Sequence, residues 1–179
     1  SVRHFSADRL QQECDLLLPL ERKELSMVFQ QSAGLEDVEI AGFEALMRWE
    51  HPKRGSIPPS EFIPIAEASD IINMLGIFAL EQATNDLMAW ESQTGELPIF
   101  VSINLSSAQL LNNDLYDDVR SVLAKTHCDP TRLKLELTET MVMENPEQAR
   151  LVLGKLREIG LGLALDDFGT GYSSLSYLT

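Results

Sequence analysis

The stretch LKLELTETMVMENPEQARLVLGKLREIGLGLALDD, Leu133–Asp167, holds a complete strand–helix–strand unit, and the rest of the chain reads outward from it. Leu133–Leu137 and Leu161–Leu165 are short, nearly apolar runs of strand length. Between them, Pro146–Ile159 predicts a helix with proline near its first turn, where the missing N–H removes no hydrogen bond, and Gly160 ends it. The same rhythm runs upstream, with a strand over Leu97–Leu105 and a helix over Asp114–Thr126. Earlier still come strands over Leu25–Gln30 and Val38–Trp49. His51–Pro59 (HPKRGSIPP) reads as a loop by its proline and glycine content. Ser60 is expected to cap and open a helix carrying Phe62, Ile65 and Ala66, and Ile77–Trp90 predicts a longer one. A last helix is expected to begin near Tyr172.

Near-continuous apolar strands alternating with helices define an α/β fold whose parallel sheet is covered on both faces. Ala7–Glu24, with Leu10, Cys14, Leu17 and Leu18 at helical spacing behind Ser6, predicts a leader helix able to join an upstream domain. The expected organisation is therefore a leader over residues 1–24 and a domain over 25–179.

A chain of 179 residues and 20.0 kDa suits one domain with a sizeable core. Its formal net charge is −14 and its pI about 4.5, a field that repels DNA and RNA. A phosphodiester ligand would meet the same repulsion unless some carboxylates hold divalent cations, which then become the dominant local charges. No run of apolar residues reaches the ~20 needed to span a bilayer, and the first residues lack the basic-then-apolar order of a secretory signal. Cys14 and Cys128 form no CxxC or Cys/His cluster, so a reduced, cytoplasmic setting is expected. His4, His51 and His127 are scattered and read as surface or loop residues.

Oxygen-bearing side chains recur at one place in each unit. Glu44, Asn104, Glu136 and Asp166 each sit within or just after an apolar strand and before the next helix. In a (β/α) barrel those strand ends converge on one face, and such a set suits a hard cation such as Mg²⁺ or Mn²⁺. Each residue also has an ordinary explanation. Glu44 could face solvent on an alternating strand, Asn104 could form a turn, and Glu136 and Glu139 could be an exposed strand end. Asp166 and Asp167 in DDFGTGYSS follow an apolar run, where adjacent carboxylates repel unless two cations lie beside them. The alternative is an acidic loop capping a helix. Arg48, four residues after Glu44 on the same strand, shares its face and could grip a phosphate or pair with a nearby acid. Asp167-Phe168-Gly169 spells a kinase triplet, but the companion kinase motifs, a P-loop and a dinucleotide fingerprint are absent.

At this point the chain resembles the EAL domain family. GFEALMRWEHP (Gly42–Pro52), PPSEFIPIAE (Pro58–Glu67), SINLSSAQL, LKLELTET and LALDDFGTGYSSLSYL match the family's blocks in order, covering about Leu25 to Thr179. The resemblance implies a TIM-like (β/α)8 barrel, incomplete in this chain, whose first strand is allowed an antiparallel course. It implies hydrolysis of the bacterial second messenger cyclic di-GMP to linear pGpG, with a non-catalytic cyclic di-GMP receptor of the same fold as the alternative. Two ions, Mg²⁺ or Mn²⁺, are implied, one on Glu44, Asn104, Glu136 and Asp166, the other on Asp166 and Asp167; Ca²⁺ is expected to inhibit. Glu139 would steady the loop after the fifth barrel strand. Arg48 and the backbone near Leu46 would contact the ligand's phosphate and base. Gln30 matches a family glutamine, although the proline that should follow is Gln31 here.

A closed barrel of this type needs about 250 residues, so three strand–helix units would be missing. The family's catalytic lysine, a further metal-binding glutamate and a late glutamine would fall in that part, making the chain alone an incomplete catalyst. A homodimer through the domain is implied, as is room for an upstream GGDEF or sensory domain, and the parent protein could be membrane-anchored through an upstream segment.

Overall fold

The computed structural model describes residues 23–33, 40–95 and 99–166. The expected leader helix, Asp167, the DFGTGYSS stretch and the helix expected near Tyr172 lie outside the described residues. One mixed sheet organises the rest. Strand β1 (Leu25–Ala33) pairs antiparallel with β2 (Ile40–His51), and β2 is followed in parallel by β4 (Phe100–Asn104), β5 (Leu133–Thr138) and β6 (Gly162–Asp166). The antiparallel course allowed for the first strand is the one it takes. Helices α1 (Pro59–Ala68), α2 (Ile71–Thr94), α3 (Ser107–Leu110), α4 (Leu115–Thr126), α5 (Glu139–Glu144) and α6 (Pro146–Glu158) fill the connections.

The period of two along each strand sorts the residues between faces. Ala45, Val101, Ile103, Leu133, Leu135 and Leu137 are buried and pack against Leu80 and Leu87 of α2, Val119 and Val122 of α4, and Leu153 and Leu156 of α6. The intervening residues of β5, Lys134, Glu136 and Thr138, are only half-buried. The sheet therefore has one helix-packed face and one polar face. A second cluster, built on Trp49, Phe62, Ile72 and Leu75, seats α1 and the start of α2 against the far end of β2.

Several boundaries differ from the sequence reading for identifiable reasons. The HPKRGSIPP loop contains a strand, β3 (Gly55–Ile57), which pairs antiparallel with β2 through Trp49↔Ile57 and His51↔Gly55. Its turn is held by His51 Nδ1, which accepts from the amides of Lys53 and Arg54, and burial of Ile57 anchors it. Ser60 does not cap α1. The helix starts one residue earlier, at Pro59, and Pro58 occupies the cap without a side-chain hydrogen bond; the fixed φ of proline opens the helix instead. Helix α2 starts at Ile71 rather than Ile77, after Asp70 turns the chain through a left-handed conformation. Strand β4 begins at Phe100, after Ile99; the expected start at Leu97 lies outside the described residues.

Two short helices follow strands directly where the sequence reading placed none. Helix α3 is closed by a reciprocal capping box between Ser106 and Gln109, and α5 is capped by Thr138, whose hydroxyl accepts from the Met141 amide. The C-terminus of α6 agrees with expectation. Gly160, at φ +96°, lets the amide of Leu161 reach the Leu156 carbonyl and its own amide reach Arg157, turning the chain into β6.

Leu135 lies at the centre of this core, 1% exposed. Leu135→Ala is expected to cost about 2–5 kcal/mol of stability, read as a lower denaturant midpoint at unchanged slope.

Candidate metal and ligand site

Register places the polar residues beside one another. Gln30 pairs with Glu44, Glu44 with Ser102, and Ser102 with Lys134, so these four form a row across β1, β2, β4 and β5. One step toward the C-terminal ends, Asn104 pairs with Glu136. A further step along, Thr138 pairs with Asp166, the last residue of β6. The predicted residues thus climb across the sheet, as strands tilted in a barrel require.

Within this staircase the Asn104 amide nitrogen donates to Glu44 Oε1 at 2.7 Å. That bond ties the end of β4 to the middle of β2 and leaves the Asn104 carbonyl oxygen as the amide's remaining acceptor. Glu44 and Glu136 are half-buried and Asn104 is exposed, so the group faces an accessible side of the sheet. Glu139 follows as the first residue of α5, half-buried beyond the end of β5. Leu46 lies opposite Val28, and Arg48 lies opposite Ser26. Arg48 Nη1 donates to the Met47 carbonyl at 2.9 Å, and among the described residues no carboxylate pairs with it. Asp167 lies outside the described residues, as noted above.

The sequence reading passed over two members of the same face. Ser102 is fully buried, and its hydroxyl has no hydrogen-bond partner among the described residues. Lys134 holds its ammonium 3.2 Å from the centroid of the Phe100 ring, and burial pulls its pKa below the usual lysine range against the opposing charge of Glu136. The alternation Lys134–Glu136 within LKLELT is the signal that would have put this lysine on the face of the candidate ligand.

The donor set suits a hard divalent cation. Glu44, Asn104 and Glu136 offer only oxygen once the Asn104 nitrogen is engaged, which matches Mg²⁺ or Mn²⁺ rather than a thiolate- or imidazole-seeking metal. Among the described residues no three His, Cys, Asp or Glu side chains gather into a metal-binding group. Beside Asn104 opens a cavity of about 140 Å³, lined by Leu46, Met47, Ile63, Leu75, Gly76 and Gln109 among others. It is an apolar recess between the sheet and helices α1 and α2, on the helix-packed side, with Asn104 at its edge. Among the described residues no helix is long and apolar enough to cross a membrane.

Comparison with known proteins accounts for this arrangement. The family model for the EAL domain matches residues 8–179, and the chain belongs to that family. The chain is 37% identical over 178 residues to the Pseudomonas aeruginosa bifunctional diguanylate cyclase/cyclic di-GMP phosphodiesterase MucR, covering 99% of this chain and 26% of that protein. It is 38% identical over 173 residues to cyclic di-GMP phosphodiesterase NbdA of the same organism, covering 97% of this chain and 22% of NbdA. A solved structure of the PaMucR phosphodiesterase in complex with c-di-GMP superposes with a TM-score of 0.87 at 37% identity, over 94% of this chain and 68% of that one. The chain spans less than a third of the length of the curated relatives it matches. The fold is accordingly that of the EAL barrel, of which these strands form one arc.

If the three described oxygen donors share a cation, Mn²⁺ should reveal it by paramagnetic broadening. Substoichiometric Mn²⁺ is expected to erase the amide resonances of Glu44, Asn104 and Glu136 together, while those of α4 on the opposite face of the sheet persist. Broadening that spares Asn104 would separate it from the site.

Proposed function

We propose that this chain is part of a divalent-metal-dependent phosphodiesterase that hydrolyses cyclic di-GMP to linear pGpG. The observation that carries the reading is the Glu44–Asn104 hydrogen bond, with Glu136 paired to Asn104, on one face of three adjacent parallel strands where β4 ends. Supporting it, EAL relatives carry the name of cyclic di-GMP phosphodiesterase, and a solved EAL relative of similar fold holds c-di-GMP.

In this reading Glu44, Asn104, Glu136 and Asp166 hold one Mg²⁺ or Mn²⁺, and Asp166 and Asp167 hold a second. Such a pair, when bound, neutralises charge building on the phosphoryl oxygens and makes water nucleophilic near neutral pH. The chain's own part is charge and position. Asn104 fixes one oxygen of Glu44 through its amide nitrogen and turns its carbonyl toward the cation. Arg48, steadied by its bond to the Met47 carbonyl, offers its remaining N–H groups to a phosphate in a bidentate fork. Gln30 flanks Glu44 on the side of β1. Leu46, on the wall of the 140 Å³ cavity, presents its backbone to a base, and Glu139 steadies the turn into α5.

The metals also reconcile an anionic ligand with a chain of net charge −14. A cytoplasmic location, Ca²⁺ inhibition, a homodimer, and an upstream sensory or GGDEF domain joined through residues 1–24 belong to the same proposal.

Turnover of cyclic di-GMP by the intact protein, with pGpG identified chromatographically, is the direct test; binding without turnover would favour a receptor. Asp166→Asn is expected to abolish hydrolysis by removing the carboxylate shared by both ions, and near-wild-type turnover in that variant would exclude the two-metal arrangement. Arg48→Ala is expected to weaken cyclic di-GMP binding by about 1.5–3 kcal/mol, with folding and metal content little changed. Calorimetry in Ca²⁺, which is expected to permit binding while slowing hydrolysis, measures this, and unchanged affinity would remove Arg48 from the ligand site.

A further inference from the structure

Gln109 is one of only three buried polar or charged side chains among the described residues, 7% exposed, and it lies outside every ligand position assigned above. Its side-chain carbonyl oxygen accepts from the Ser106 backbone amide at 3.0 Å, while the Gln109 backbone amide donates to the Ser106 hydroxyl at 3.3 Å. The backbone amide of Ser106 is therefore held by the Gln109 side chain, and its hydroxyl by the Gln109 backbone. Ser106 stands two residues after Asn104, and the residue between them, Leu105, is held to β5 by its amide, which donates to the Glu136 carbonyl at 2.9 Å. The turn that carries Asn104 is thus fastened at Leu105 and again at Ser106.

The far end of the Gln109 side chain rests on helix α2. A Cβ at Gly76 would lie 1.9 Å from Gln109 Nε2, so no other residue at position 76 admits the amide as it stands. Glycine inside a helix is otherwise unfavourable, and here its missing side chain is the socket for Gln109. Gln109 also borders two cavities. The 140 Å³ recess and a smaller one of about 20 Å³ share Gly76, Ile103, Asn104 and Gln109 as walls.

We propose that Gln109, seated in the socket left by Gly76, is a positioning residue for Asn104, holding the turn after β4 so that the Asn104 amide stays on Glu44. The role of Asn104 toward a metal rests on the function proposed above; the link from Gln109 to Asn104 does not.

Two readouts on the intact protein separate these. In the metal-free, ¹⁵N-labelled protein, the Asn104 side-chain NH₂ pair, identified by its loss in Asn104→Ala, reports the bond to Glu44 directly. It is expected to be well dispersed and slow to exchange in the wild type. In Gln109→Ala it is expected to move toward free-amide positions and exchange at least tenfold faster. Gly76→Ala, placed on a different element from every assigned ligand, is expected to produce the same change. The double variant should show no more than either single change, because both remove one seat. An Asn104 NH₂ pair unaltered in the folded Gln109→Ala protein overturns the proposal, as does a double variant in which the two effects add.

The second readout is Mn²⁺ affinity by calorimetry. Gln109→Ala is expected to weaken it about tenfold, the scale on which residues that orient metal ligands act. Unchanged Mn²⁺ affinity beside a displaced Asn104 amide would remove Asn104 from the metal site and leave the positioning role standing.

Discussion

A slip of one residue between β2 and β4 would carry Glu44 to the helix-packed face and Ala45 to the open one. Everything else in the site depends on that slip not happening. Strand side chains alternate strictly, so register is held wherever one face is buried, and here the buried face is emphatic: Val101, Leu133, Leu135 and Leu137 are all at most 2% exposed. The apolar residues of the strands and the helices packed on them, rather than any polar contact, decide that Glu44, Ser102, Lys134, Asn104 and Glu136 share a side. The Asn104–Glu44 bond then selects a geometry among residues the core has already brought together.

The electrostatics follow from the same constraint. Carboxylates concentrated at strand ends would repel one another and any phosphate, and among the described residues the positive charge on that face is sparse. Lys134 lies against the ring of Phe100 and Arg48 lies toward the rim. Neither is close to balancing a chain of net charge −14. On the function proposed above, cations from solution would complete the site, and its protein part would supply oxygen and shape.

Much of this was legible in the residues. Runs such as Leu133–Leu137 and Leu161–Leu165 gave the parallel sheet because buried strands carry their own apolar signature, and Glu44, Asn104 and Glu136 stood out as oxygen donors at its ends. What escaped detection depended on partners distant in sequence or on local chemistry read too coarsely. Strand β3 is three residues long and exists because β2 extends past β4 and offers it an edge, which no local pattern reveals. Helix α3 was open to detection: Ser106 followed three residues later by Gln109 is a capping-box signature. The meaning of Gly76 lies in a glutamine thirty-three positions downstream, which no local pattern shows. Asp166 and Asp167 were read from their place after the apolar run Leu161–Leu165 and from the family resemblance.

The reversed first strand has a further consequence. Because β1 runs against its neighbours, Leu25 pairs with Trp49 near the C-terminal end of β2, while Ala33 pairs with Ile40 near its beginning. A barrel whose strands all ran alike would receive its chain at the floor, far from the mouth. Here the polypeptide arrives at the rim, one register step from Arg48 and stitched there by the Trp49 indole donating to Glu24. Tension or rotation applied through the preceding residues would be felt at the mouth before it reached the core, as a hand on the lip of a bowl moves the lip first.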